Sequence, residues 1–347
     1  MLSSDNLIIM GWLLLAGMAS FALTGLLRRY ALKKSLLDIP NARSSHSVPT
    51  PRGGGVAIVL VVLIGSSLLF RWWDFLPSME LWVVLGAGGL VALVGWMDDH
   101  GHVAARWRLL AHFVAASWAL MWLGGMPPLA LFGETLNLGW LGHALAAVYL
   151  VWLLNLYNFM DGIDGIAGIE AVTVCLGGSV LYFLSSTGTR EWLLPVVLAV
   201  AVIGFLFWNF PKAKIFMGDA ASGFIGILLG IFSIQAAWVA PEFFWGWVIL
   251  LGVFVVDATV TLMQRVLRGE RFYEAHRSHA YQYAARRWGH VYVTVSVAII
   301  NMLWLLPIAY LAVKFSGWGA VLMILAFIPL IVIAINLRAG QPEGATA

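Results

Sequence analysis

The chain has 347 residues, of which 61% are hydrophobic and 11% charged, and its mean hydropathy is +0.90. This composition excludes an ordinary soluble domain and indicates a polytopic membrane protein. The single cysteine, Cys175, excludes an intrachain disulfide and a metal site built from several cysteines. The net charge of +3 is better explained by membrane topology than by nucleic-acid binding, because no nucleic-acid-binding module is visible in the sequence.

Apolar stretches of roughly 20 residues predict the membrane-spanning helices. The first stretch, 7–27, is followed by Arg28 and Arg29 rather than preceded by positive charge, which indicates a retained span and not a signal peptide. About eleven spans are expected on this basis, in chain order at 7–27, 54–70, 81–97, 108–124, 140–157, 166–186, 192–210, 220–238, 243–264, 291–313 and 318–337. The predicted fold class is therefore all-α: a polytopic membrane helical bundle that forms a single integral-membrane domain, 1–347, with a tail at 338–347.

The basic residues predict the orientation of the spans. Every one of the 20 Lys and Arg residues lies in a connection that follows an odd-numbered span, except Arg71, Arg190 and Lys314. By the positive-inside rule these connections face the cytosol. An odd number of spans then places the N-terminus in the periplasm and the C-terminus in the cytosol.

Acidic residues from distant segments share the predicted cytosolic face, namely Asp38, Asp98, Asp99, Asp161, Asp164, Asp219 and, slightly inside a span, Asp257. A carboxylate buried in hydrocarbon is costly, so these groups need a hydrated, ionic environment. We expect a cytosol-facing ionic site if the helices that carry them pack together. The connections 28–53 and 265–290 are long enough to cover such a site.

The stretch WMDDHG ends the third span with Asp98 and Asp99. Adjacent residues on a helix point about 100° apart, so one carboxylate can bind a metal or act as a base while the other reaches a second partner. The alternative is a helix end that simply meets water, although acids at a helix C-terminus oppose the helix dipole.

The stretch NLYNFMDGIDG follows the fifth span. Asn155, Asn158, Asp161 and Asp164 are spaced by three, so they lie near one another for as long as the helix continues. The two glycines of the stretch permit close approach to a ligand. The alternative is a polar turn in which Asp164 caps the next helix.

The eighth span begins in the stretch KIFMGDAASGF, with Asp219 in the first turn and Ser222 as a candidate cap. The positive end of the helix dipole favours a carboxylate there and also attracts phosphate. This stretch is equally compatible with a helix cap and with a ligand site.

Two cytosolic loops carry groups that suit phosphate. EAHRSHAYQ holds His276, Arg277 and His279, although a basic loop is also typical of membrane topology or of anionic-lipid contact. DIPNARSSHSVPTPRGGG holds Arg43 and His46 before three glycines, which can cradle phosphate or serve as a hinge. Acidic oxygen ligands without a cysteine cluster favour Mg²⁺ or Mn²⁺, and a divalent ion beside cations at the membrane suits a diphosphate substrate with a membrane lipid as acceptor.

With these stretches in chain order, the chain resembles the polyprenyl-phosphate N-acetylhexosamine-1-phosphate transferases (glycosyltransferase 4 family). The motifs that carry the resemblance are the pair Asp98 and Asp99, the pattern N-x-x-N-x-x-D-G-x-D-G-x-A-G from Asn155 to Gly168, and F-M-G-D-x-x-S from Phe216 to Ser222. The predicted eleven spans and outer N-terminus are similar to the O-antigen-initiating, GlcNAc-1-phosphate branch rather than to the ten-span peptidoglycan branch.

The resemblance implies transfer of an N-acetylated hexosamine 1-phosphate from a UDP-sugar to undecaprenyl phosphate at the cytosolic face of the bacterial inner membrane. The products would be undecaprenyl-diphospho-sugar and UMP, the cofactor Mg²⁺ (or Mn²⁺), and the pathway O-antigen or related surface-glycan synthesis. It implies catalytic roles for Asp98, Asp99 and His279, metal binding by Asp219 and Asp99, and substrate binding by Arg43, His46, Asn155, Asn158, Asp161, Asp164 and Arg277. Pro51, Gly54, Gly55 and Asp257 also match family positions.

One departure from the family bears on the sugar. Where the GlcNAc-1-phosphate branch reads D-R-x-H-x-H-H, only Arg277 and His279 match, and Tyr281 and Gln282 replace the histidine pair. The expected donor is therefore UDP-GlcNAc or a 6-deoxy N-acetylated hexosamine, with the latter slightly favoured. The resemblance also makes a homodimer a candidate assembly. The competing class is a cation-coupled membrane transporter that uses the cytosolic-face carboxylates; it predicts charges near mid-span and repeated halves, and the sequence shows no such repeat.

Overall fold

The structure is a computed structural model that describes residues 4–40, 48–73, 78–101, 103–185, 188–270 and 276–342. It confirms the all-α fold class. The helices are α1 (Ser4–Lys33), α2 (Val56–Trp73), α3 (Ser78–Val83), α4 (Gly89–His100), α5 (Ala105–Leu123), α6 (Gly139–Met160), α7 (Ile166–Leu184), α8 (Leu193–Asn209), α9 (Asp219–Val239), α10 (Glu242–Leu250), α11 (Gly252–Leu267), α12 (Ala280–Trp288), α13 (His290–Ile300), α14 (Leu306–Lys314) and α15 (Gly319–Asn336).

Two π-helical turns and four short strands complete the described elements. The π turn Val84–Gly88 joins α3 to α4, and the π turn Asn301–Leu305 joins α13 to α14. The strands form two antiparallel pairs: β1 (Leu37–Asp38) with β2 (Thr50–Pro51), and β3 (Leu129–Leu131) with β4 (Glu134–Leu136).

Every predicted span coincides with helix in the structure. Within the described residues, seven helices are long and apolar enough to cross a membrane, or up to eight if the bent pair α10 and α11 counts as one span; α2 and α8 are shorter apolar helices. The ninth predicted span, 243–264, is not one helix, because the chain breaks at Leu251 and the two halves meet at 71°. The total of about eleven spans and the orientation of the termini stay predictions.

Helix α9 lies at the centre of the bundle and is buried along its apolar length, whereas only 22% of the apolar windows of α1 and α15 is buried. Gly226 and Gly230 let α9 approach α6 closely: a Cβ at Gly226 would lie 2.8 Å from the Cα of Leu154, and one at Gly230 would lie 2.7 Å from Leu150 Cδ2. Small residues four apart are a common means of close helix packing in membranes. This packing brings the C-terminal end of α6 beside the N-terminal end of α9.

Candidate active site

Asp219 is the first residue of α9. Its Oδ1 accepts a hydrogen bond from Asn158 Nδ2 at 2.9 Å, and its Oδ2 lies 4.0 Å from Arg108 Nη1. Asn158 also donates to Ser222 Oγ at 2.8 Å, so one amide ties α6 to the first turn of α9. The Asp219 side chain keeps 42% of its surface exposed, so a ligand can still reach it.

Asp98 and Asp99 point in different directions, as their adjacency on α4 predicts. Asp98 Oδ1 accepts from the backbone N–H of Val103 at 2.8 Å, and its Oδ2 forms an ion pair with Arg108. Asp99 is buried, and its Oδ2 lies 3.4 Å from the backbone N–H of Ala220 in the first turn of α9. Asp98 therefore faces Arg108, whereas Asp99 faces the positive end of the central helix.

Asp161 directly follows α6 and is half-buried. Burial first, and then the negative charges of Asp219 and Asp99, raise the pKa of its carboxyl to about 7. Such coupling requires the three carboxylates to be close together. We call Asp98, Asp99, Asp161 and Asp219 the acidic cluster; α4, α9 and the residue after α6 supply its members.

Asp164 does not join the acidic cluster. Residues spaced by three share a face only within a helix, and α6 ends at Met160. Asp164 Oδ1 lies 3.4 Å from His290 Nδ1, and its backbone carbonyl accepts from Thr294 Oγ1 at 2.9 Å, so both contacts are with α13. Asp164 is not the cap of α7 either, since Gly165 occupies that position without a side-chain hydrogen bond.

A cleft of about 370 Å³ extends from the acidic cluster between α4, α5, α6 and α9. Its polar end contains Asp98, Arg108, His112, Asn155, Asn158 and Asp219. Its other walls are apolar and include Val91, Leu109, Val148, Val151, Trp152 and Leu262. Leu109 and Val148 at its edge are 49% and 54% exposed, so the apolar part continues to the outer surface of the bundle.

Asn155 lines this cleft, and its Nδ2 donates to the carbonyl of Val151 at 2.7 Å and lies 3.4 Å from His112 Nδ1. Sequence reasoning missed both His112 and Arg108. The charge pattern of the sequence indicates only a topological role for Arg108. Its position in the first turn of α5, which follows the aspartate pair and faces the end of α4, is the signal that points to a role in the site.

The first predicted loop is held by main-chain pairing. The N–H groups of Gly54 and Gly55 donate to the carbonyls of Phe216 and Met217, both at 2.9 Å, and Phe216 N–H donates to the Pro51 carbonyl at 2.8 Å. Those two glycine N–H groups are therefore engaged, which contradicts the phosphate-cradle interpretation for them. Arg43 and His46 lie outside the described residues.

The second predicted loop is held by side chains. Asp257 on α11 accepts from the N–H groups of Ala280 and Tyr281 at 2.9 and 2.8 Å, and its Oδ1 lies 3.3 Å from His279 Nδ1. His279 is buried there and does not line the cleft. Tyr281 Oη donates to the Phe159 carbonyl at 3.1 Å, so α12 is fixed to the end of α6.

Arg277 is placed away from the acidic cleft. With Glu270, His276 and Ser278 it lines a second cavity of about 270 Å³, closed on one side by residues 340–342. The structure thus brings Asp98, Asp99, Asn155, Asn158, Asp161 and Asp219 together and leaves Asp164, Arg277 and His279 at neighbouring but separate positions.

The acidic cluster fits a divalent ion of the Mg²⁺ type. Within the described residues, no three His, Cys, Asp or Glu side chains already form a metal cage. Mg²⁺ needs no such cage, because it commonly binds through one or two carboxylates, water and substrate phosphates. Asp219, with an exposed oxygen edge beside other carboxylates, offers that donor set.

A family model described as glycosyl transferase family 4 matches residues 81–237, which are under half of the chain. This stretch is therefore similar to glycosyl transferase family 4. The matched region runs from α3 to α9 and contains the entire acidic cluster. The loop with His276, Arg277 and His279 lies beyond it.

Curated proteins that are similar to this chain carry consistent names. The chain is 30% identical over 247 residues to a decaprenyl-phosphate N-acetylglucosaminephosphotransferase of Mycolicibacterium smegmatis, covering 65% of this chain and 59% of that relative. It is 27% identical to a probable undecaprenyl-phosphate N-acetylglucosaminyl 1-phosphate transferase of Bacillus subtilis, covering 74% and 72%. It is 28% identical to an undecaprenyl-phosphate alpha-N-acetylglucosaminyl 1-phosphate transferase of Thermotoga maritima, covering 81% and 84%. The chain therefore spans under two thirds of the mycobacterial relative.

Proposed function

We propose that this protein transfers an N-acetylhexosamine 1-phosphate from a UDP-sugar to undecaprenyl phosphate, at the cytosolic face of the bacterial inner membrane. The products are undecaprenyl-diphospho-sugar and UMP, and the reaction initiates O-antigen or related surface-glycan synthesis. The names of the relatives support the polyprenyl phosphate acceptor and the sugar-phosphate donor.

The cleft is the observation that carries this proposal. A polyprenyl phosphate has a long apolar tail and an anionic head, and the cleft has apolar walls that reach the bundle surface and a polar end with Arg108. An arginine fork suits phosphate oxygens. The acceptor phosphate would therefore lie beside Arg108, within reach of Asp98 and Asp219.

The need to offset the negative charge of two phosphates suggests a role for each group of the site. Two phosphates must approach one another, so their repulsion must be offset by positive charge. Arg108 supplies part of it, while Asp98 orients Arg108 and can take a proton from the acceptor phosphate. Asp219, with Asp99 next to it, would hold Mg²⁺, which when bound supplies further charge neutralisation at the diphosphate. Asn158 fixes the Asp219 carboxylate in place.

The identity of the donor sugar is a separate question from the class of reaction. The relatives' names specify N-acetylglucosamine, whereas Tyr281 and Gln282 replace the histidine pair of the branch that uses it. We propose a 6-deoxy N-acetylhexosamine as the preferred donor sugar, with GlcNAc as the principal competitor.

A panel of UDP-sugars offered with undecaprenyl phosphate to the purified chain in lipid nanodiscs tests the reaction. UMP release and the mass of the lipid product identify donor and acceptor. Asp219→Asn should abolish Mg²⁺-dependent UMP release, while the matched control Glu134→Gln, on the exposed strand β4, should leave it unchanged. UMP release by Asp219→Asn with unaltered Mg²⁺ dependence would remove Asp219 from its role, and cation uptake by the chain in liposomes without UMP release would favour a transporter.

A further inference from the structure

A line of polar contacts joins α7 and the loop before it to α13 and the π turn that follows. At the start of this line of contacts, in the loop before α7, Asp164 contacts His290 and Thr294 in the first turns of α13. Two helical turns deeper, Asn301 Nδ2 donates to Glu170 Oε2 and to Thr173 Oγ1, both at 2.7 Å. The deeper contacts are entirely inside the bundle, since Glu170 is 0% and Asn301 1% exposed.

Two oxygen atoms at this position have no hydrogen-bond partner within the described residues: Glu170 Oε1 and Asn301 Oδ1. Both are acceptors when Glu170 is ionised, and an unpaired buried acceptor costs about 1–3 kcal/mol. No Lys or Arg forms an ion pair with Glu170 in the described part of the chain. The titratable neighbour is Tyr157 on α6, whose hydroxyl donates to the Ala167 carbonyl at 2.5 Å.

A single proton on Glu170 gives both unpaired oxygens, Glu170 Oε1 and Asn301 Oδ1, a hydrogen bond. Protonated Glu170 becomes a donor at Oε1, and a planar carboxylic acid facing a planar amide can form two parallel hydrogen bonds: N–H to carbonyl and O–H to carbonyl. One of the two is already present, from Asn301 Nδ2 to Glu170 Oε2. We propose that Glu170 is held as an uncharged carboxylic acid in a two-point pair with Asn301, and that this pair positions the helices behind the active site.

The location of the pair explains how it acts on the site. Glu170 lies in the second turn of α7, directly after the loop that carries Asp161 and Asp164. The backbone N–H of Phe254 faces its carboxyl, and Phe254 is in the first turn of α11 after the 71° break. Asp257, one turn further along α11, holds α12 and His279. Glu170 is thus a positioning residue, and this part of the inference rests on the proposed function.

Three variants separate an uncharged pair from an ionised carboxylate. Glu170→Gln keeps the shape and both hydrogen bonds, so its melting temperature in nanodiscs should stay within about 2 °C of wild type. Glu170→Met keeps the volume but removes the partner of one Asn301 N–H and of Asn301 Oδ1, while the bond to Thr173 remains. This variant should therefore melt several degrees lower. Asn301→Asp places two acids together and should lose stability as pH rises, because one of them then ionises.

The double variant Glu170→Gln with Asn301→Asp exchanges acid and amide across the pair. It should recover most of the stability lost by Asn301→Asp. The infrared difference spectrum, wild type minus Glu170→Gln, should show the carbonyl band of a protonated carboxylic acid. Other protonated acids such as Asp161 are present in both proteins, so their bands cancel. These measurements are independent of turnover, so they decide the uncharged pair even if the proposed reaction is wrong.

Kinetics test the positioning role. Glu170→Met should raise KM for the UDP-sugar about tenfold with a smaller change in kcat, and Glu170→Gln should stay within about twofold of wild type. Equal damage by Glu170→Gln and Glu170→Met, or a difference spectrum (wild type minus Glu170→Gln) that lacks this carbonyl band, would overturn the uncharged pair. So would stabilisation of the wild type by Na⁺ or Mg²⁺ that Glu170→Gln abolishes, since that result would assign the two oxygens to a bound cation.

Discussion

Two loops approach the acidic cluster from different parts of the chain, and they are fastened by different means. Residues 51–55 are held by backbone hydrogen bonds to residues 216–217. Residues 279–282 are held by side chains, chiefly Asp257, Gln282 and Tyr281. The first loop should therefore be sensitive to added atoms, and the second to lost polar atoms.

The comparison of the two loops also distinguishes residues that bind a ligand from residues that hold neighbouring residues in position. Both loops contain groups that the sequence predicts to bind a phosphate group of the substrate. In the structure, Gly54, Gly55 and Asp257 use their polar atoms to join segments far apart in the chain. Loss of activity on mutation of these residues would thus report misplaced neighbours as readily as a lost ligand contact.

Gly55→Val is expected to have the largest effect. A Cβ at this position would lie 2.9 Å from the Met217 carbonyl and would collide with Ala221, so the first loop would separate from the start of α9. We expect a loss of about 3 kcal/mol or more in the free energy of unfolding, measured as a fall in melting temperature together with UMP release. Gly89→Ala is the matched control, because a Cβ there meets nothing within 4 Å; equal stability of the two variants would contradict the tight contact.

Asp257→Ala tests the side-chain fastening of the second loop. It leaves the N–H groups of Ala280 and Tyr281 unpaired and removes the partner of His279, which should cost about 2–3 kcal/mol. Asp257→Asn retains one acceptor oxygen and should fall between Ala and wild type in a thermal unfolding series. If Asn and Ala were equally damaging, the charge of Asp257 and not its two acceptor oxygens would matter.

Tyr281→Phe removes one hydrogen bond from the same loop, the bond from Oη to the Phe159 carbonyl. The expected cost is about 1 kcal/mol, and KM for the UDP-sugar should rise because the end of α6 loses its support. Tyr283→Phe is the control: it removes a hydroxyl bond to the Gln341 carbonyl, 2.5 Å long, on the other side of α12. A rise in KM for Tyr283→Phe but not for Tyr281→Phe would contradict the role of the Tyr281 hydroxyl in supporting the end of α6.

The smallest expected effect is a pH dependence that belongs to the second loop alone. Burial, then the charges of His279 and Arg265, lower the pKa of His276 to about 3 from an ordinary value of 6.5. The unfolded chain therefore takes up this proton first, and stability falls as pH drops below 6.5.

His276→Asn should remove that dependence, so the difference in melting temperature between variant and wild type should grow in the variant's favour between pH 7.5 and 5.5. Asp161, whose pKa is raised to about 7, acts with the opposite sign, but both proteins contain it and its contribution cancels. A difference that does not change with pH would exclude His276 as the source.

Local patterns were sufficient for the helices and for part of the site. Apolar runs of membrane length predicted where helices form, and polar residues at their ends predicted Asp98, Asn158 and Asp219 at one cleft. The sequence did not reveal the break at Leu251, because apolar residues continue on both sides of it. Nor did it reveal that Arg108 pairs with Asp98 or that Asp164 turns to α13. Those contacts depend on how helices pack, which no periodicity within one segment records.

The half-exposed apolar edge of the cleft, at Leu109 and Val148, has a kinetic consequence for the proposed reaction. The isoprenoid acceptor would enter sideways from the bilayer, whereas the water-soluble donor would arrive from above the headgroups. Turnover should then follow the mole fraction of acceptor within the membrane rather than its bulk concentration, so dilution with inert phospholipid would slow the enzyme while added buffer would not.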